Sequence, residues 1–311
     1  MNIMIAGGAG FIGSHLIDAL LDKGHNVTCV DNFLLGSKEN IAHLKNNPLF
    51  TLYKQDICDF KGMHSIFKKE SIDYVFHLAA NSDIQAGSRD PFIDLNNTFL
   101  TTFNLLECMR QFNIKRLFFS STSAVYGEQE GQLSESAAAL EPVSYYGAGK
   151  LAAEAFISAY SARNNIETLI FRFPNVVGPR LTHGVIYDFI KKLQHNPTQL
   201  EILGNGKQTK PYMYINDLIN GIMQFMDVPT GVTLYNIGVN TRTNVTSIAD
   251  MVCQAMNLEN VKYEFTGGRG GWPGDVPEFK YNLSKIHSAG WKAEHTSDEA
   301  VARTARELCV Q

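Results

Sequence analysis

The sequence predicts an α/β protein: a doubly wound parallel sheet followed by a smaller C-terminal α/β region. Three observations carry this. Short apolar runs at residues 1–6, 27–30, 50–54, 74–78, 116–120 and 167–173 have the length of strands. Apolar residues at helical spacing fill most of the gaps between them, at 12–23, 61–70, 97–111 and 151–164. Strands joined through helices imply right-handed crossovers and hence a parallel sheet. Runs such as 74–80 are apolar almost throughout, as strands covered on both faces require.

The first strand breaks directly into Gly7, Gly10 and Gly13, and the first helix opens among them. At such a junction the first glycine permits the tight turn. The second lets backbone approach a pyrophosphate, and the third lets helix and sheet pack closely. The helix N-terminus then offers unpaired N–H groups and a positive dipole end to an anion. The second strand ends on Asp31, where a carboxylate can accept hydrogen bonds from a ribose diol. Asn32 and Gly36 leave a simple turn cap as the competing role. No Arg or Lys follows immediately in the run from Asp31 to Ser37, so a 2′-phosphate would meet repulsion and NAD is favoured over NADP. Asp56 and Ile57 close the third strand within reach of an adenine. These features make the sheet Rossmann-type.

The alternation loses regularity after Phe173, where Pro174, Gly178, Pro179 and Gly184 crowd together. The first domain is therefore placed at 1–174, with part of 211–240 returning to it, and a substrate domain at 175–311. A chain of 311 residues has room for about two domains. With 44% hydrophobic residues and a formal charge of −4, disorder and collagen-like classes are excluded. So is the electrostatic footprint of a nucleic-acid or membrane-surface binder. No run approaches the ~20 apolar residues of a spanning helix, and no basic segment precedes the first apolar run as in a signal peptide. Cys29, Cys58, Cys108, Cys253 and Cys309 are odd in number and lack CxxC spacing. Reduced thiols, a cytoplasmic setting and no metal site are expected.

Tyr146 and Lys150 stand four apart near the start of a helix, so their side chains share one face. A phenol of ordinary pKa near 10 is a poor base at neutral pH. A neighbouring ammonium, with the positive nicotinamide of NAD⁺, is expected to favour the phenolate. Thr122 lies at the carboxyl end of the 116–120 run, where open α/β sheets collect ligands. Tyr145 has only Gly149 four residues on, and no cation.

The segments GGAGFIGSHL, DNFLLGS, HLAANSD, SSTSAVYG, YYGAGK and RFPNVVGPR together resemble the extended short-chain dehydrogenase/reductase family. Within it the nearest likeness is to nucleotide-sugar epimerases of the UDP-galactose (UDP-glucose) 4-epimerase type, and it extends from Met1 to about Pro277. The resemblance implies Thr122, Tyr146 and Lys150 as catalytic residues. It implies NAD contacts from Phe11, Ile12, Asp31, Asn32, Asp56, Ile57, Leu78, Ala79, Ala80 and Asn96. Asn175, Lys210, Tyr212, Arg269 and Asp275 would face the nucleotide sugar, and His183 is a further candidate there. It also implies a homodimer pairing through the helices at 97–111 and 151–164.

The sequence departs from the family pattern at several points. Gly149 stands where a Ser is usual, Lys210 where many relatives place an Arg, and Trp272-Pro273 where an Arg precedes Gly-Asp. Phe279 occupies a position at which bulk is thought to exclude N-acetyl groups. Sister 4,6-dehydratases carry an Asp-Glu pair after the catalytic Thr; Ser123-Ala124 stands here, without a proton carrier. A net oxidoreductase that releases its nicotinamide and a cofactor-binding regulator are the other readings.

Overall fold

The computed structural model describes residues 1–227, 231–271 and 276–310. The chain forms two compact units. One comprises Met1–Val125, Leu140–Arg172 and Ile222–Tyr235; the other comprises Tyr126–Ala139, Phe173–Gly221 and the chain from Asn236 onward. The segment Tyr126–Ala139 thus groups with the second unit, whereas the sequence places it inside the first. The physical reason is pairing: Gln132–Leu133 makes a parallel ladder with Lys280–Tyr281, and Asn236 donates its side-chain amide to the Leu133 carbonyl.

The first unit is built on a seven-stranded sheet. Its strands are β1 (Asn2–Ala6), β2 (Asn26–Asp31), β3 (Phe50–Lys54), β4 (Tyr74–His77), β5 (Arg116–Thr122), β6 (Glu167–Phe173) and β7 (Val232–Asn236). Their order is β7-β6-β5-β4-β1-β2-β3, with β1 to β5 paired in parallel. The helices that matter for function are α1 (Phe11–Asp22), α2 (Phe60–Lys69), α3 (Thr101–Gln111) and α4 (Tyr145–Asn164). The order reverses between β1 and β4, and the crevice beyond the carboxyl ends of those two strands is where such sheets bind ligands.

Alternation along the strands divides two cores. Met4, Ala6, Val75, Leu117 and Phe119 join Met63, Leu105, Met109, Ala153 and Ile157 in one buried cluster, which seats α2, α3 and α4 on the sheet. The opposite face stacks aromatics instead: Tyr74 on Phe76, Phe76 on Phe118, and Phe118 edge-on to Phe171. Capping sets the ends of α4. Ser144 accepts a hydrogen bond from the Gly147 N–H, and Asn165 closes the helix in the left-handed region at φ 53°.

In the second unit, Asn175–Val177 pairs in parallel with Tyr212–Tyr214, and Gln199–Ile202 with Lys262–Phe265. The helices Val185–His195, Val245–Ala255 and Ser297–Cys309 pack on one another. A full capping box of Thr296 and Glu299 starts the last of them. No helix among the described residues is long and apolar enough to cross a membrane, and no group of three or more metal-ligating side chains occurs among them.

Candidate active site

The glycine junction has the geometry that a diphosphate cradle needs. Gly7 sits at φ +83°, and a Cβ there would fall 2.6 Å from the Ala79 nitrogen. At Gly13 a Cβ would press into the Gly7 carbonyl and stand 2.8 Å from the Gly8 Cα. Both positions therefore exclude any larger residue. A Cβ at Gly10 would meet only the Gly7 carbonyl, at 3.3 Å, so the space before the helix is open. Gly10 is the N-cap of α1 and has no side chain to occupy the first N–H groups, which leaves those of Phe11 and Ile12 directed at that space.

Asp31 ends β2 beside this cradle, only 6% exposed. Its Oδ2 accepts from the Ala9 N–H at 2.9 Å and its Oδ1 from the Phe33 N–H at 2.8 Å. The turn-cap role is therefore real, and Phe33 adopts φ 61° to make it. A carboxylate has about four acceptor positions, so two backbone bonds leave room for a diol as well. Burial raises the carboxyl pKa, against the pull of the two N–H groups. Asn32 accepts from the Leu34 N–H at 2.9 Å and approaches Asp56, whose Oδ1 accepts from the Cys58 N–H. Asn104 holds the Ile57 carbonyl at 2.9 Å. Leu78, Ala79 and Ala80 follow β4 partly exposed, across from Gly7. Asn96 is exposed in a π-helical turn, Leu95–Leu100, that runs into α3. Such turns recur at functional sites.

At the other end of the crevice β5 runs to Thr122, two residues beyond the apolar stretch that marks it in the sequence. Thr122 Oγ1 accepts from the Ala124 N–H at 3.1 Å, and its hydroxyl lies near enough to the Tyr146 phenol to lower that phenol's pKa. What brings the two together is Gly147: a Cβ at that position would lie 2.5 Å from the Ala124 carbonyl oxygen. The glycine that weakens the first turn of α4 is thus the one that lets the helix approach the turn Ser123–Tyr126 directly after β5. Gly149 tolerates more, with Thr98 Cγ2 at 3.2 Å from its ideal Cβ.

Lys150 follows one turn on and is 1% exposed. Its Nζ donates to the Ser120 carbonyl at 2.6 Å and reaches Ser120 Oγ at 3.4 Å, over the Phe119 ring at 4.6 Å. Burial pulls its pKa down to about 7, while the Glu154 carboxylate works in the opposite direction. Burial pushes the Tyr146 phenol up to about 12; the Thr122 hydrogen bond pulls it back in part, and Asp94 adds to the rise. Within the protein alone the balance therefore runs against the expectation that Lys150 lowers the phenol. Desolvation is the largest effect on the phenol, and the same burial loosens the proton of the neighbouring Lys150.

The sequence reading misses the buried groups behind these three. Arg172 on β6 grips Glu154 with two bonds, Nε to Oε1 at 2.9 Å and an Nη to Oε2 at 2.6 Å. Ser121 donates to Glu154 Oε1. His77 Nε2 meets Thr102 at 2.8 Å, and burial holds that histidine well below its ordinary pKa, hence neutral. Glu154 at four residues past Lys150 was a usable signal; Arg172, on a different element, carried none.

The substrate candidates lie in the second unit. Asn175 is paired with Tyr212 across the short parallel ladder, and both Asn175 and Lys210 are partly exposed. Tyr212 is buried, its N–H bonded to Ser297 Oγ at 3.1 Å. Lys210 pairs with Thr243. His183 and Arg269 are exposed. Phe279 is buried, edge-on to Tyr281. Asp275, with Trp272 and Pro273, lies outside the described residues.

Comparison with known proteins identifies the family. The model of the NAD dependent epimerase/dehydratase family matches residues 3–238. The chain is 31% identical over 306 residues to a putative UDP-glucose 4-epimerase of Methanocaldococcus jannaschii, covering 97% of this chain and 96% of that one. A crystal structure of UDP-galactose 4-epimerase superposes with a TM-score of 0.88 at 34% identity, over 100% of this chain and 99% of the other. The UDP-glucose 4-epimerase of Thermus thermophilus, in complex with NAD, gives 0.88 at 28% identity over 99% of each chain. Relatives of other reaction type match too, among them a mouse dTDP-D-glucose 4,6-dehydratase, 28% identical over 97% of this chain and 87% of its own. The chain belongs to the NAD dependent epimerase/dehydratase family.

Proposed function

We propose that the protein is a nucleotide-sugar 4-epimerase that binds NAD and interconverts a UDP-hexose with its C4 epimer. The observation that carries this is the placement of Tyr146 and the buried Lys150 one turn apart on α4 beside Thr122 at the end of β5, with no acid–base pair at Ser123-Ala124. The cradle at Gly7, Gly10 and Gly13 fits a dinucleotide, because it leaves open backbone where a diphosphate would sit. In this reading the N–H groups of Phe11 and Ile12 bind the diphosphate. Asp31 and Asn32 take the adenosine ribose, and Asp56 and Ile57 border the adenine. Leu78, Ala79, Ala80 and Asn96 line the remainder, and Tyr146 and Lys150 face the nicotinamide half.

The bound dinucleotide supplies the acceptor, and afterwards the donor, of the hydride on the sugar carbon. The protein's own residues manage the proton. Tyr146 Oη acts as the phenolate, whose charge Thr122 stabilises by donating to it and the Lys150 ammonium by its field; it takes the proton from the C4 hydroxyl and becomes the neutral phenol. The 4-keto sugar turns, and the proton returns from Tyr146 to the C4 oxygen on the other face. Elimination of water would need a further acid and base after Thr122, and Ser123 and Ala124 provide neither; this disfavours the dehydratase reading.

In the second unit, Asn175, Lys210, Tyr212, His183 and Arg269 are the candidates for the nucleotide sugar, and Phe279 for exclusion of an N-acetyl group. Mass spectrometry of dinucleotide released from the purified protein, followed by a panel of UDP-, CDP-, GDP- and dTDP-sugars, tests the proposal. Bound NAD and fastest turnover of an unacetylated UDP-hexose are expected. Equal turnover of UDP-N-acetylglucosamine, or reaction of only a CDP- or dTDP-sugar, refutes the substrate assignment.

A further inference from the structure

We propose that Glu154 is a positioning residue for the reaction: clamped by Arg172 and Ser121, its carboxylate keeps the buried Lys150 side chain as an ammonium one helical turn beyond Tyr146. The inference rests on the catalytic reading of Tyr146 and Lys150 given above, and it adds a residue that touches neither sugar nor dinucleotide in that reading.

The geometry begins with spacing. Tyr146, Lys150 and Glu154 lie at intervals of four on α4, so each neighbours the next on one face of the helix. That face is buried: Lys150 is 1% exposed and Glu154 8%. A lysine taken out of water tends to lose its proton, and its remaining contacts here offer little to retain it. From β5 it has the Ser120 carbonyl and hydroxyl and the Phe119 ring. From β4 it faces His77, which is neutral. On α4 itself Tyr146 precedes it, and Asp94 acts on that phenol. Glu154 is the carboxylate that opposes the effect of burial on Lys150.

A carboxylate can do this only if it is fixed. Arg172 forks onto both oxygens of Glu154 from β6, with the pair 3% and 9% exposed at the side chains. Bidentate geometry restrains both position and orientation. Ser121, next to Ser120 on β5, donates to Oε1 from the third side. The strand that presents Ser120 to Lys150 therefore also presents Ser121 to Glu154. A buried ion pair of this kind is weak evidence for stability as such; its place beside Lys150 gives it a role that a surface pair would not have.

The test reads Lys150 directly. Lysine labelled with carbon-13 at Cε is titrated in the purified protein, the resonance being assigned with Lys150→Arg. Glu154→Gln is expected to lower the Lys150 midpoint by about one pH unit, and the alkaline fall in kcat should move with it, close to a tenfold loss at pH 8. Should Glu154→Gln alone fail to fold, Glu154→Gln/Arg172→Met removes both charges and is expected to lower the midpoint in the same sense. Ser121→Ala, which keeps the ion pair, should leave the midpoint near that of the native protein. An unchanged midpoint in folded Glu154→Gln or in the double variant overturns the proposal. So does an equal shift in Ser121→Ala, which would make packing rather than charge the cause. Because the titration needs no substrate, absence of epimerase turnover would refute the proposed function and leave this result standing.

Discussion

Gly147→Ala sets two effects of known size against each other. Helix propensity alone favours alanine over glycine by about 1 kcal/mol within a helix, which predicts a more stable protein at both Gly147 and Gly149. Sterics reverse this at one of them. At position 147 the new Cβ would stand 2.5 Å from the Ala124 carbonyl oxygen and 3.0 Å from both its carbon and Pro142 Cβ. The nearest atoms are backbone, which cannot swing aside, and overpacking of this kind costs about 1–3 kcal/mol. With backbone on the receiving side the clash wins, and a net loss of up to about 2 kcal/mol remains once the propensity gain is counted. At 149 the nearest atom is a Thr98 methyl at 3.2 Å, on a side chain that can yield by tenths of an ångström. There most of the propensity gain survives. Function follows position: Gly147 adjoins Tyr146, and a shift of about 1 Å at a reacting group costs about 10²-fold in rate. Chemical denaturation and kcat, measured on both variants, should show Gly149→Ala at or above the native protein and Gly147→Ala below it in both. Equal stability and equal rate in the two variants would refute the reasoning.

Asp31→Ala should leave a folded protein whose preference for NAD⁺ over NADP⁺ falls by about tenfold or more, ~1.4 kcal/mol, as read by calorimetric titration; unchanged preference would make Asp31 a cap alone. Lys150→Met should stabilise the protein at pH 7 by up to about 5 kcal/mol. The folded Lys150 midpoint, about 7, lies below the ordinary 10.5. Between those values the unfolded chain holds the extra proton, so native stability climbs with pH across that window while the variant's does not. Denaturation at pH 7 and pH 10 checks this, and a difference that fails to shrink with pH contradicts it. Tyr146→Phe should reduce turnover roughly 10²–10⁴-fold with NAD still bound, measured by steady-state kinetics and dinucleotide content.

The features legible in the sequence were those with a local period. Strands β1 to β4 show as apolar runs, the cradle as glycines at a strand–helix junction, and Tyr146 with Lys150 as a pair one turn apart. Where local signal is mixed, boundaries move. Ser121 and Thr122 are polar, so the apolar reading stops β5 at 120 although its hydrogen bonding continues to Thr122. Two glycines after Tyr146 thin the apolar pattern, so periodicity alone marks α4 only from 151, although Ser144 caps it at 145 and Tyr146 with Lys150 lies in its first turns. Features made by pairing across the chain stayed invisible: Arg172 with Glu154, and Tyr126–Ala139 joining the second unit through Lys280–Tyr281. The rise that burial gives the Tyr146 phenol in the protein alone was hidden for a related reason. A neighbouring charge can be read from spacing, whereas desolvation depends on what the whole fold stacks above the group.

The central claim is a closed cycle of oxidation and reduction at one sugar carbon, and isotope retention tests it most directly. A UDP-hexose carrying deuterium at C4 is converted in ordinary water, and the reverse experiment uses unlabelled sugar in heavy water. If Tyr146 handles only the hydroxyl proton, the C4 epimer keeps its deuterium in the first case and gains none at C4 in the second. Loss of the label to water, entry of solvent deuterium at C4, or free NADH accumulating in step with substrate would contradict the account.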